Sequence, residues 1–161
     1  MKIRTGFVSN SSSSSFVVIS ERKDKEEFDE KELKYLFNSM DEDDEEDWNG
    51  LFPEGECKFG WQVKNYHDAP SKWNWLVLQA FYAQMEGDFK FVQILEDYAK
   101  ELNPRLVINL KKLSNEENEL EVYIDHQSIY PEDTFDKIKE IGISRWLMDH
   151  KCYVHNSNDN L

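Results

Sequence analysis

Four groups of residues could do chemistry. Ser11, Ser12, Ser13, Ser14 and Ser15 form an uninterrupted serine run. Successive small residues present backbone N–H groups and hydroxyls to an anion, although the glycines and lysine of a phosphate loop are missing. The same run is a target for phosphorylation or a flexible polar leader. A second group, Asp125, His126, Gln127 and Ser128, combines a histidine able to act as general base with a hydroxyl able to act as nucleophile. The bland alternative is a histidine that satisfies backbone groups at a strand end. A third, His150-x-Cys152-x-x-His155, holds three metal-ligand types, yet in a strand residues 150 and 152 share a face and 155 does not. The fourth is purely electrostatic: Asp41, Glu42, Asp43, Asp44, Glu45, Glu46 and Asp47 are consecutive, with Trp48 and Phe52 beside them.

Periodicity supplies the elements that must carry these groups. Ser15 to Ile19 reads as an opening strand, so part of the serine run enters a sheet. Phe28, Leu33, Leu36, Phe37 and Met40 recur at helical steps over 28–40. The self-repelling run 41–47 reads as a solvated loop. Pro53 and Gly55 mark a turn before a strand over 58–63. Residues 73–85 are apolar nearly all round, the pattern of a buried helix, with Ser71 as N-cap and Gly87 as terminator. Asp88 then caps a second helix over 89–102, stopped by Asn103-Pro104, and so short a link makes the two a hairpin.

Beyond Pro104 the period becomes two. Leu106, Ile108 and Leu110, then Leu120, Val122 and Ile124, predict two strands joined as a hairpin across 113–118. In that arrangement His126 lies on the core side, at a strand-to-loop junction where scaffolds often hold functional side chains. A helix over 134–141 ends at Gly142, a further turn covers 145–150, and 152–155 is a terminal strand. The tail from Asn156 reads as frayed unless the last strand pairs nearby. The sum is an α+β fold: a small antiparallel or mixed sheet with a helical hairpin and further helices packed on it.

The length, 161 residues, suits a single domain over 1–161 with an acidic, mobile loop at about 41–50. With 33 acids against 19 bases the net charge is −14, and 39% of the residues are hydrophobic. Such a balance disfavours direct nucleic-acid binding, which depends on Lys and Arg displacing counterions, and favours a basic partner. The charge is uneven: residues 21–50 hold 14 acids and 5 bases. Two distant cysteines make no disulfide framework or zinc site, no apolar run approaches a membrane span, and no signal region opens the chain. The expectation is a cytoplasmic protein with no membrane contact. No G-x-S-x-G, H-E-x-x-H, G-x-G-x-x-G or EF-hand loop is present, which points away from the most recognisable enzyme classes. No cofactor or metal is expected.

The opening, Met1-Lys2-Ile3-Arg4-x-Gly6-Phe7-Val8-Ser9-Asn10 followed by the five serines and Phe16, resembles the start of many small uncharacterised proteins of tailed bacteriophages and their Firmicute hosts. Tyr123-Ile124-Asp125-His126-Gln127-Ser128 and Asn158-Asp159-Asn160 are similar to segments of some members. The resemblance implies a setting, a phage or its host's cytoplasm, and no mechanism. Together with the charge it leads to the main expectation: an accessory protein, more a binder than an enzyme, that modulates or inhibits a basic nucleic-acid-handling protein, by nucleic-acid mimicry in its strongest form, through 41–47 and an exposed Trp48. The rival is a small enzyme or nucleotide- or phosphate-binding protein whose pocket joins the serine run to 125–128.

Overall fold

The structure is a computed structural model that describes residues 14–20, 48–60, 63–114, 122–124 and 131–158. Its strands are β1 (Ser14–Ser20), β2 (Lys58–Phe59), β3 (Lys64–Tyr66), β4 (Tyr123–Ile124) and β5 (Cys152–Asn158). Its helices are α1 (Ala69–Met85), α2 (Lys90–Leu102), α3 (Pro131–Ile141) and α4 (Ile143–Met148), with a 3₁₀ turn over Leu110–Ser114. The class is α+β, as expected. No described helix is long and apolar enough to cross a membrane.

α1 is the spine. Every residue from Ser71 to Ala83 is buried, so the all-round apolar pattern does specify a central helix. The helix begins four residues before 73, however, because Asp68 rather than Ser71 is the N-cap: its Oδ2 accepts from the Ser71 amide at 2.9 Å. Pro70 fits the first turn, where its missing N–H has no intrahelical use. At the other end Gly87 takes φ +93°. Its amide donates to the Gln84 carbonyl and that of Asp88 to the Ala83 carbonyl, the paired bonds of a glycine-terminated helix. α2 then folds back on α1, burying Phe91, Leu95, Ala99 and Leu102. Asp88 stands one position before the N-cap, Phe89, and its Oδ1 accepts from the Lys90 amide at 3.2 Å.

The sheet differs from the sequence expectation. β5 is central in the order β1-β5-β3, antiparallel to both neighbours. β1 pairs with it over seven residues, from Ser14↔Asn158 to Ser20↔Cys152. β3 adds only Lys64, Asn65 and Tyr66. Among the described residues, 106–110 and 122–124 do not pair with each other as a hairpin. Ile108 makes an isolated parallel bridge with Trp48, Leu110 opens the 3₁₀ turn, and β4 pairs in parallel with β2. The alternation correctly placed Leu106, Ile108 and Leu110 inside and Val107 outside. It could not name the partner, since a period of two reports the buried face and not what covers it. Leu110 and Leu113 share the inner side because a 3₁₀ turn repeats every three residues.

Residues 48–50 also depart from expectation. Placed with the acidic loop by sequence, they belong to the packed body, with Trp48 and Gly50 buried and Asn49 half-buried. The helix expected over 28–40 lies outside the described residues.

Candidate functional site

Four consecutive residues at the start of α1, each a different chemical type, hold two irregular stretches of chain. The Ser71 hydroxyl accepts from the Glu56 amide at 2.8 Å. Trp73 Nε1 donates to the Gly50 carbonyl at 2.8 Å. Asn74 makes three bonds to the backbone, its Oδ1 accepting from the Phe52 amide at 2.7 Å and its Nδ2 donating to the carbonyls of Phe52 (2.7 Å) and Glu56 (3.2 Å), besides a contact from Nδ2 to Cys57 Sγ at 3.5 Å. A side-chain amide thereby supplies donors and an acceptor to backbone groups of the segment 50–57, which lacks regular structure of its own.

Lys72 faces the other way. It has no exposed surface, and its Nζ donates to the carbonyls of Trp146 (2.6 Å), Asp149 (3.2 Å) and Cys152 (2.9 Å). Three acceptors match the three donors of an ammonium group, and the Trp146 ring lies 5.8 Å from the charge. Burial pushes the Lys72 amine down to about 8, against the opposing pull of Cys152, Asp149 and Asp68. Alongside, His67 Nδ1 bonds the His150 carbonyl at 2.8 Å, and its ring packs on Tyr153 with centroids 4.5 Å apart.

The residues singled out by sequence fall differently. Ser14 and Ser15 are strand residues, paired with Asn158 and Ser157. The serine run therefore runs into regular structure beside the chain's tail, and Asn156, Ser157 and Asn158 extend β5 instead of fraying. Ser11, Ser12, Ser13, Asp125, His126, Gln127, Ser128 and the acids 41–47 lie outside the described residues. Of the third group, Cys152 is buried with Sγ 3.4 Å from Ser20 Oγ, while His155 Nδ1 sits 2.6 Å from Asn65 Oδ1. Among the described residues no three His, Cys, Asp or Glu side chains gather as metal ligands would. Cys57, buried against α1 and beside Glu56, has its thiol pushed up to about 11, mainly by burial.

Comparison with protein-family models, curated proteins and solved structures finds no match.

The chain's own geometry therefore has to carry any argument about function, and it corrects one expectation. Trp48 and Phe52 are not exposed contact aromatics; they are 7% and 4% exposed. Trp48 stacks on Trp73 at 6.2 Å with a 5° interplanar angle and packs on Phe52 at 5.1 Å. Its Nε1 donates to the Leu51 carbonyl, and its own carbonyl accepts from the Asn109 amide at 2.8 Å. A large aromatic next to seven acids looks like surface in sequence. Trp73, 25 positions away, supplies the apolar face that buries it, and nothing local to Trp48 announces that. Trp48 is thus an anchor that fixes where the acidic run ends.

Lys72, Ser71 and Asn74 were missed as positioning residues. The available signal was their polarity beside an otherwise apolar pattern: Lys72 falls on one stripe with Leu76, Gln79 and Ala83 by helical spacing, and all four are buried.

Proposed function

We propose that this chain is an acidic accessory protein of a phage or its host, and that it binds and blocks a basic nucleic-acid-handling protein through the carboxylates of 41–47. The observation that supports this is the placement of charge between two fixed points. Of the residues between Ser20, where β1 ends, and the buried Trp48, 14 are acids and 5 are bases. Fastening both ends of a charged segment lowers the entropy lost when it is ordered on a partner. Seven adjacent carboxylates steer a basic groove toward them and speed association, an effect that falls with salt. Trp48 and Phe52 take no part in the contact; they hold the segment's end.

The test compares capture from bacterial lysate by the wild-type chain and by a variant with Asn or Ser at all seven positions of 41–47. The reading expects the wild type to retain a basic nucleic-acid-binding protein that duplex DNA or raised salt releases, and the variant to retain none. Undiminished capture by the variant, or capture that duplex DNA does not disturb, overturns it.

A further inference from the structure

The terminal strands form a ribbon whose two members pair more extensively with each other than with any other strand. β1 and β5 pair along their full lengths, seven residues each, whereas β5 meets β3 over three. The turn that feeds β5 is held from below by Lys72, which reaches the Asp149 and Cys152 carbonyls across 77 and 80 positions of sequence. Three carbonyls, of Trp146, Asp149 and Cys152, receive the ammonium, and His67 reaches the same turn through the His150 carbonyl. Among the described side chains of the ribbon, Val18, Cys152, Tyr153, Val154 and Asn156 are buried. Trp146 belongs to α4, which packs on both α1 and β5.

We propose that Lys72 and the carbonyls of Asp149 and Cys152 form a clasp, and that its opening releases β1 and β5 together as one unit while α1, α2 and the segment 48–57 remain packed. Proteins open locally in contiguous cooperative units that often coincide with a supersecondary motif. The ribbon is such a motif: its two strands pair over seven residues, and β5 pairs with β3 over three. Opening exposes the Asp149 and Cys152 carbonyls to water, while the ammonium keeps the Trp146 carbonyl. In the closed state the Asp149 carbonyl accepts from both the Cys152 amide and Lys72, and loss of the charged donor weakens that state. The ribbon also leads from Ser20 straight into the acidic residues beginning at Glu21, so the clasp sets where that segment starts. The geometry of the clasp does not depend on the function proposed above.

Hydrogen exchange on the full chain tests it. In Lys72→Met, which keeps the length of the side chain and loses every donor, amides of 14–20 and 152–158 exchange at least about ten-fold faster and by the same factor, with 73–83 and 91–99 unchanged. Equal acceleration throughout the chain, acceleration of β5 without β1, or no acceleration overturns the proposal. Should the variant not fold, the wild type in sub-denaturing urea decides the matter. The clasp predicts that 14–20 and 152–158 follow one opening curve below that of α1, and a single curve shared with α1 contradicts it.

Discussion

The two irregular segments that dock on the first turns of α1 are held by opposite strategies. The stretch 50–57 is fixed by neutral groups acting redundantly: three bonds from Asn74, one each from Ser71 and Trp73, and the stacked indoles of Trp48 and Trp73. The turn 149–152, which has backbone bonds of its own, is tied to α1 by one buried ammonium, with a histidine at its edge. Redundant neutral bonds make a segment inseparable from the core, because no single loss frees it. A single charged tie is strong only while the charge is fully surrounded, and burying it carries a desolvation cost. Integral and separable parts thus emerge side by side from adjacent residues of one helix.

The largest expected effect is on the integral side. Asn74→Leu removes the side-chain acceptor of the Phe52 amide and the donor to the Phe52 and Glu56 carbonyls, the first of which keeps the Gly55 amide, and at about 1–3 kcal/mol for each buried bond left unmade the whole protein loses stability. Thermal unfolding then shows one transition at a much lower midpoint. A variant that frayed only around 52–56 while α1 kept its midpoint would put this segment on the same footing as the ribbon.

Next comes Gly55, which lies flat on the start of α1. A Cβ there would stand 2.7 Å from the Pro70 carbonyl carbon and 2.8 Å from both Ser71 N and Asn74 Nδ2. Two of these are backbone atoms that cannot swing aside, so Gly55→Ala costs about 1–3 kcal/mol, measured by denaturant unfolding. A neutral result would show the segment to be looser than its hydrogen bonds imply.

The charged side is probed by pH. With the folded Lys72 at about 8 and the amine's ordinary value at 10.5, the unfolded chain binds more protons between those values, so stability rises with pH across that window. The penalty for burying the charge is fully present below about 8 and is relieved as the proton leaves. The neutral amine still donates to two carbonyls. The midpoint difference between wild type and Lys72→Met therefore grows in favour of wild type from pH 8 to 10. A flat or shrinking difference would mean that the carbonyls and nearby carboxylates outweigh desolvation.

The smallest effect belongs to the surface. Lys90 and Glu132 meet at 2.6 Å, which raises the one and lowers the other, but both are exposed. Solvent screens such a pair, and Lys90→Ala leaves the melting midpoint unchanged. A drop comparable to that of Gly55→Ala would reveal that the link between α2 and α3 matters to the core.

What was legible in the sequence follows from how local each cause is. α1, its turn at Gly87 and the return of α2 depend on periodicity and a glycine within a few residues, and all were readable. The start of α1 was misplaced because Asp68, Pro70, Ser71 and Lys72 have the composition of a turn. Most of their partners lie 15 to 80 positions away. The extension of β5 through Asn156, Ser157 and Asn158 was hidden for the same reason: a polar tail becomes a strand only because β1, from the other end of the chain, pairs with it. Trp48, expected as an exposed contact, is buried because Trp73, 25 positions away, covers it.

The most direct measurement of the difference between the two segments is native-state hydrogen exchange in the unmodified protein, comparing the Phe52 amide with those of 152–158. Phe52 donates to a buried Asn74 oxygen, and its exchange should require global unfolding at the rate of the α1 amides. The β5 amides should exchange at least about ten-fold faster, through release of the ribbon. Equal rates for the two sets, or faster exchange at Phe52, would contradict the account.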